Sequence, residues 1–419
     1  MYKQLYNNRN LSNRIRKGGF TYMAISKNNR RITFLDTTLR DGEQAPGNEM
    51  GPEEKLKLAL LLEAAGVDTI ETGFPASSVD DFQATKMISE ALTTSSFATF
   101  SRALAKDVKI ALEAGGVSDK HLVMLVATGS DLHLKYKRHI TREDGLREIA
   151  EAVAYAKSEG IKNIAVGIED ASRAEQDYME QIIETALSSG ANQIILADTT
   201  GYSTPESFYK LIRFVREKVG EEIKVSTHCH NDLGLAVTNS LEALKAGANE
   251  VHATLGGIGE RAGNTSIEQV VAFLKYKGEE YGFETTIKLD KLYEAYLALK
   301  ETIKLEDSRM QPLFGTYVFS TAAGIHQQGM LNNPDTYEYV KAKDIGRERK
   351  FYVARHSGRS ILRYLFKELG VVPDDSLLDY FYNKYISNEH NGTCYDTEAL
   401  KGILVQELNS TESEFGEAI

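Results

Sequence analysis

The stretch QIILADTTGYSTPESFYKLIRFVREKVGEEIKVSTHCHND, residues 193–232, carries the reading that decides the fold. It opens with a short apolar, β-branched run that ends at Asp198-Thr199-Thr200. Pro205 then starts a helical stretch, at a place where its missing N–H costs little. A second β-rich run, 224–232, follows and carries His228, Cys229 and His230. Strand, helix and strand at this spacing make a parallel βαβ unit, with strands apolar enough to be buried on both faces.

The same beat runs along most of the chain. Strand-length runs stand at 33–38, 69–74, 95–101, 121–128, 163–170, 193–200, 224–232 and 250–257, with helical patterns between them. Gly66, Gly115, Gly160, Gly190 and Gly247 stand where helices would close. Eight βα units in about 250 residues imply an α/β fold, a (β/α)8 TIM barrel. An open doubly wound sheet is the runner-up, but no glycine-rich phosphate fingerprint follows the first run. The barrel is expected over 31–280 and a mainly helical subdomain over 281–405. Residues 289, 292, 293 and 296 there form an apolar helical stripe, and 314–329 reads as a glycine-containing loop. Residues 406–419 read as a polar tail.

Composition narrows the classes. The 419 residues are 42% hydrophobic and 26% charged, ordinary for a globular enzyme. A net charge of −11, spread along the chain, argues against a nucleic-acid surface. No apolar run approaches the roughly 18–20 residues that span a membrane. Two cysteines exclude a disulfide framework and suit a reducing, cytoplasmic setting. Residues 1–30 read as an extension: the first 31 residues hold eight Lys/Arg and no acid. A transit peptide shares that bias, but without an amphipathic pattern the expected natural start is Met23.

In such barrels the chemistry sits where strands end and loops begin. That rule collects Arg40, Asp41 and Gln44 after strand one, and Glu71 after strand two. It adds Ser101-Arg102, Glu169-Asp170, Asp198-Thr199, and the GIGERAGN loop after strand eight. Residues i and i+2 of a strand share a face, so His228 and His230 project together while Cys229 faces the helices. Two imidazoles and a carboxylate make a divalent-metal site, and Asp41 is the best carboxylate. Arg40 would aim a fixed cation at developing oxyanion charge. Glu169 ends an apolar strand, where desolvation would favour its neutral form; otherwise it would pair with Arg173.

DTTLRDGEQAPG (36–47), STHCHNDLGLAVTNSLEALKAGA (226–248) and GGIGERAGN (256–264) resemble the acyl-CoA-condensing, metal-dependent 2-isopropylmalate, homocitrate and citramalate synthases. The resemblance spans roughly 31–365 and is strongest to the isopropylmalate branch. GIHQQG (324–329) and RHSGR (355–359) look like that branch's linker subdomain. It implies a Claisen-type condensation of acetyl-CoA with an α-keto acid, 2-oxoisovalerate in leucine biosynthesis, followed by thioester hydrolysis. It implies one divalent ion (Mn, Mg, Zn or Co) on Asp41, His228 and His230, with Asn264 nearby or ligating. Arg40 would steady the thioester oxygen, Glu169 and His326 would move protons, and Thr199 would hold the keto acid's carboxylate. Gln44, Glu71 and Arg102 complete the expected substrate site. His326 would come from the partner subunit of a homodimer.

Two departures stand out: Gln328 replaces an acid in GIHQQG, and ADTTGY replaces PDTVGY. The leucine-binding domain usual in the family does not follow the linker, which implies insensitivity to leucine. The same mechanism would make homocitrate, Re-type citrate or citramalate from other acceptors. A carbon–carbon lyase of the hydroxymethylglutaryl-CoA type is the more distant alternative.

Overall fold

The computed structural model describes residues 29–388 and 393–415. Nearly all of the expected extension, with its alternative start at Met23, lies outside the described residues, as do the last four residues of the expected tail. Just ahead of the barrel a two-residue strand, Arg30–Arg31, pairs with Phe283–Glu284. Eight parallel strands close a barrel in chain order. They are β1 (Thr33–Asp36), β2 (Thr69–Glu71), β3 (Ser96–Arg102), β4 (His121–Thr128), β5 (Asn163–Glu169), β6 (Gln193–Asp198), β7 (Lys224–Cys229) and β8 (Glu250–Ala253). Closure is made by β1, which pairs Asp36 with Ile70 on one side and with Ala253 on the other.

Alternation along each strand sorts side chains into two cores. Leu35, Ala98, Leu122, Met124, Ala165 and Ile195 fill the barrel interior. Their neighbours Phe34, Phe97, Val123, Leu125, Ile164 and Leu196 face outward into the layer shared with the helices. That outer layer is built by α1 (Pro52–Ala65), α2 (Val79–Ala91), α3 (Ala105–Gly115), α4 (Arg142–Ser158), α5 (Gln176–Ser189), α6 (Pro205–Val219), α7 (Ala236–Ala246) and α8 (Ile267–Tyr281). Pro52 and Pro205 stand in the first turn of their helices, as read from the sequence. Helix α3 closes at Gly116 rather than Gly115, which instead packs against Phe97 and His121.

The region after 281 does not form one appendage. Helix α9 (Leu289–Thr302) buries Leu289, Leu292, Ala295, Tyr296 and Leu299, and these join the barrel's outer core along with Phe314, Phe319 and Ile345. A separate core begins at Val353 and runs through Ile361, Leu365, Phe381 and Leu404. It is organised by α11 (Arg359–Glu368), α12 (Asp375–Tyr382) and α13 (Thr397–Phe415) around a small sheet, β9 (Ser320–Thr321), β10 (Lys350–Val353) and β11 (Tyr395–Asp396). The GIHQQG segment, read as a loop, is helix α10 (Gly324–Asn332). The backbone is helical past residue 406, where a tail was expected, because α13 continues to Phe415.

Candidate metal centre and active site

At the carboxyl ends of the strands the barrel opens into a cavity of about 420 Å³. Asp41, His228 and His230 meet there, all buried, with one ligand atom from each within 4.8 Å of the others. His228 Nε2 lies 3.2 Å from Asp41 Oδ2, and His230 Nε2 lies 4.0 Å from it. His228 is the last but one residue of β7 and His230 lies just past its end, while Cys229 between them is fully buried in the helix-side core. The parity argument therefore holds for all three residues.

The donor set suits a divalent cation. Asp41 Oδ1, His230 Nδ1 and Asn264 Oδ1 are buried and have no hydrogen-bond partner among the described residues. Unpaired buried polar atoms are costly unless something completes their coordination. Burial opposes charge on Asp41, but Arg40 and the two imidazoles outweigh it and hold the carboxyl well below its usual range. Burial, followed by the neighbouring His228, drops His230 to about 4, so its imidazole is neutral and free to ligate. Asn264 Nδ2 sits 3.4 Å from His228 Nε2. The loop presses on this cluster at Gly259, where a Cβ would fall 2.0 Å from Asn264 Oδ1 and 3.4 Å from Asp41 Oδ1.

Arg40 donates from Nη1 to Asp41 Oδ2 at 2.8 Å and from Nε to Glu71 Oε1 at 2.8 Å. Its guanidinium lies over the Phe100 ring, 4.7 Å from the centroid. Glu71 is fully buried and also accepts from Thr37 Oγ1. It fixes Arg40 and does not line the cavity, in contrast to its expected place against substrate. Arg102 is likewise displaced: it is exposed, donates to both oxygens of Asp107 at 2.7 and 3.0 Å, and is not among the residues lining the cavity. Ser101 points to the helix side, buried. Gln44 and Thr199 do line the cavity. Thr199 Oγ1 accepts the Asp170 N–H at 2.8 Å, which leaves its own hydrogen to donate. Asp198 turns away and receives Ser172 Oγ and the Tyr202 and Ser203 N–H groups.

Residues 31–297 match the HMGL-like family model, and residues 313–389 match the model described as Homocitrate synthase post-HMGL domain-like. A 2-isopropylmalate synthase of Sulfurisphaera tokodaii is 39% identical over 91% of this chain and 97% of that protein. The chain belongs to the 2-isopropylmalate and homocitrate synthase family. A 2-isopropylmalate synthase of Oceanobacillus iheyensis is 40% identical over 81% of the chain and 67% of its own length. A Methanopyrus kandleri protein provisionally named an (R)-citramalate synthase is 36% identical over 83% of the chain and 67% of its own length. Among solved structures, the HMG-CoA lyase of Brucella melitensis shares the fold, with a TM-score of 0.58 at 20% identity, over 66% of this chain and 99% of that one.

The partners of Glu169 in this family member differ from the sequence reading. Glu169 lines the cavity, but its partners are Lys137 and His133; Arg173 pairs with Asp170 instead, at 2.8 Å. Glu169 is thus met by the Lys137 ammonium rather than isolated in a dry pocket. His326 lies exposed on α10, its ring tilted against Tyr337 with centroids 4.2 Å apart, and is absent from the lining of this chain's cavity. Sequence reasoning missed His133, Lys137 and His252, and left Glu260 and Arg261 unnamed inside the GIGERAGN loop. The alternation of EVHA in β8 could have pointed His252 inward beside Glu250. The i, i+4 spacing of His133 and Lys137 just past β4 could have flagged that pair.

Proposed function

We propose that the protein is an acyltransferase that joins acetyl-CoA to 2-oxoisovalerate and hydrolyses the thioester, releasing 2-isopropylmalate for leucine biosynthesis. One observation carries the reading: the Asp41, His228, His230 cluster shares its cavity with an apolar wall of Phe100, Met124, Val126, Ile195 and Ala197. A branched aliphatic keto acid matches both halves, its oxygens at the cluster and its side chain on the wall.

A divalent ion (Mn, Mg, Zn or Co) held by Asp41, His228 and His230, with Asn264 alongside, would supply Lewis acidity to the keto carbonyl. The remaining steps belong to the chain. Thr199 donates its hydroxyl to the acceptor's carboxylate, and Gln44 lines the same mouth. Arg40, held rigidly by Glu71 and Asp41, faces the thioester oxygen as it gains charge in the enolate. Glu169 serves as the proton-transfer group inside the cavity. His326 of the partner subunit completes the acid/base set in a homodimer. The exposed face of α10, where Ile325 is 81% exposed beside His326, supports that assembly. Two unpaired cysteines support a reducing cytoplasm.

Pyruvate is the second acceptor to consider, favoured by the Methanopyrus relative. Likeness to the lyases is one of fold, and their matched structure leaves about a third of this chain without a counterpart. The deciding experiment measures thiol release from acetyl-CoA with 2-oxoisovalerate, pyruvate, 2-oxoglutarate and oxaloacetate in parallel. A clear preference for 2-oxoisovalerate is expected. Preference for another acceptor replaces the substrate, and release with none of them removes the acyl-transfer reading.

A further inference from the structure

Between β4 and α4 the chain does something unusual. After Ser130 comes one helical turn, Asp131–His133, and then a π-helical turn, Leu134–Arg138. Such wide turns are rare and concentrate at functional sites. This one ends at His139 with a left-handed φ of 54°. Its consequence is local: His133 and Lys137 both turn toward the carboxylate of Glu169, one on each oxygen. Lys137 Nζ donates to Oε1. His133 Nδ1 lies 3.4 Å from Oε2.

The segment is anchored from behind. Ser130 Oγ accepts the His133 N–H at 3.2 Å and donates to Asp170 Oδ2. His133 Nε2 lies 3.6 Å from that same Asp170 oxygen. Asp170 itself has a left-handed φ of 57° and its other oxygen is held by Arg173. That backbone turn sends consecutive carboxylates to opposite duties: Asp170 is fully buried as an anchor, while Glu169 faces the cavity. The two strands meet without a gap at Gly129, where a Cβ would fall 2.5 Å from the Glu169 carbonyl oxygen. Glu169 Oε2 and His133 Nδ1 are nevertheless buried without a hydrogen-bond partner. Glu169 and Lys137 both line the cavity.

We infer that Lys137 and His133 are positioning residues for Glu169, holding its carboxylate in one orientation toward the reacting carbon. The inference rests on the proton-transfer role proposed for Glu169. Lys137 acts through Glu169: its ammonium, exposed at the cavity rim, donates to Oε1.

The test is a kinetic double-mutant cycle on the full-length enzyme. Lys137→Met lowers kcat by about 30-fold or more and leaves both KM values within about twofold, because only an oriented carboxylate is lost. Lys137→Arg restores most of kcat. In a Glu169→Gln background, adding Lys137→Met costs less than about twofold more, since the two residues act as a unit. His133→Gln behaves like Lys137→Met with a smaller loss. Independent, multiplying losses would overturn the inference, as would a raised KM with kcat intact, which would make Lys137 a substrate contact. A readout without turnover separates this from the acyl-transfer proposal. The 13C carboxyl resonance of Glu169, assigned by its loss in Glu169→Gln, should shift in Lys137→Met and return in Lys137→Arg. An unmoved resonance removes the inference whatever reaction the enzyme catalyses.

Discussion

At the amino-terminal end of the barrel Glu250 is fully buried, and so is Asp41 at the other end, but the two carboxylates live differently. Glu250 is saturated. Gln193 Nε2 at 2.7 Å and Ser226 Oγ at 3.0 Å donate to one oxygen; Lys224 and Thr33 donate to the other. Asp41 has one oxygen taken up by Arg40 and faced by His228, and one with no hydrogen-bond partner among the described residues. Both resist protonation: burial opposes their charge, and nearby cations overcome it. The lesson is that a depressed carboxyl does not by itself distinguish a structural cluster from a functional one. Open coordination does. The floor is a closed network that holds β6, β7 and β8 together, whereas the mouth keeps valences free for something to bind.

Four variants can break or sharpen that contrast. The largest effect is expected from His228→Ala, which should lower turnover by more than about a hundredfold and abolish metal retention while the circular dichroism spectrum stays native. Metal analysis and steady-state assays check it, and full activity would dissolve the distinction between mouth and floor. Next, Arg40→Ala should reduce kcat by roughly 10²–10³ with little change in acceptor KM, as expected for a donor aimed at developing charge. A KM effect alone would make Arg40 a binding residue.

The floor should respond in stability instead. Glu250→Ala strands Gln193, Ser226 and the partly exposed Lys224, and a loss of about 2–4 kcal/mol is expected in denaturant unfolding, with kcat per folded molecule unchanged. The smallest effect concerns Glu268, fully buried on α8, whose carboxyl is pushed up to about 8 by burial despite the Gly256 N–H it accepts. Its folded form keeps a proton that the unfolded chain releases near pH 4.5. Its stabilising contribution is therefore full below that pH and fades as pH rises through about 8. Glu268→Gln should flatten this decline and be the more stable form at pH 8.5 by a few kcal/mol at most. Parallel curves for variant and wild type would refute the neutral carboxyl.

Much of this was legible beforehand. The eight strands could be read because buried parallel strands must be apolar over their whole length, and their spacing left room for one helix each. The Asp41, His228, His230 cluster was legible for a similar reason: strand parity sends His228 and His230 to one side. Arg102 was not legible, since nothing along the chain says that Asp107, five residues on, captures its guanidinium. Nor was the division of the carboxyl-terminal region. Helical periodicity marks α9 as amphipathic but cannot say that its apolar face docks on the barrel rather than on α11.

The order of elements, the inward direction of the chelating side chains and the identity of Asp41 as their companion are all local matters, settled by alternation and by residue type. What only the folded molecule decided is which polar groups meet across strands distant in sequence. Glu71 reached Arg40, Glu250 reached Lys224, and Lys137 reached Glu169 through the pairing of neighbouring strands and a π turn. Those pairings decide which charges are spent on structure and which stay open for chemistry, because burial makes every polar group find a partner or wait for one.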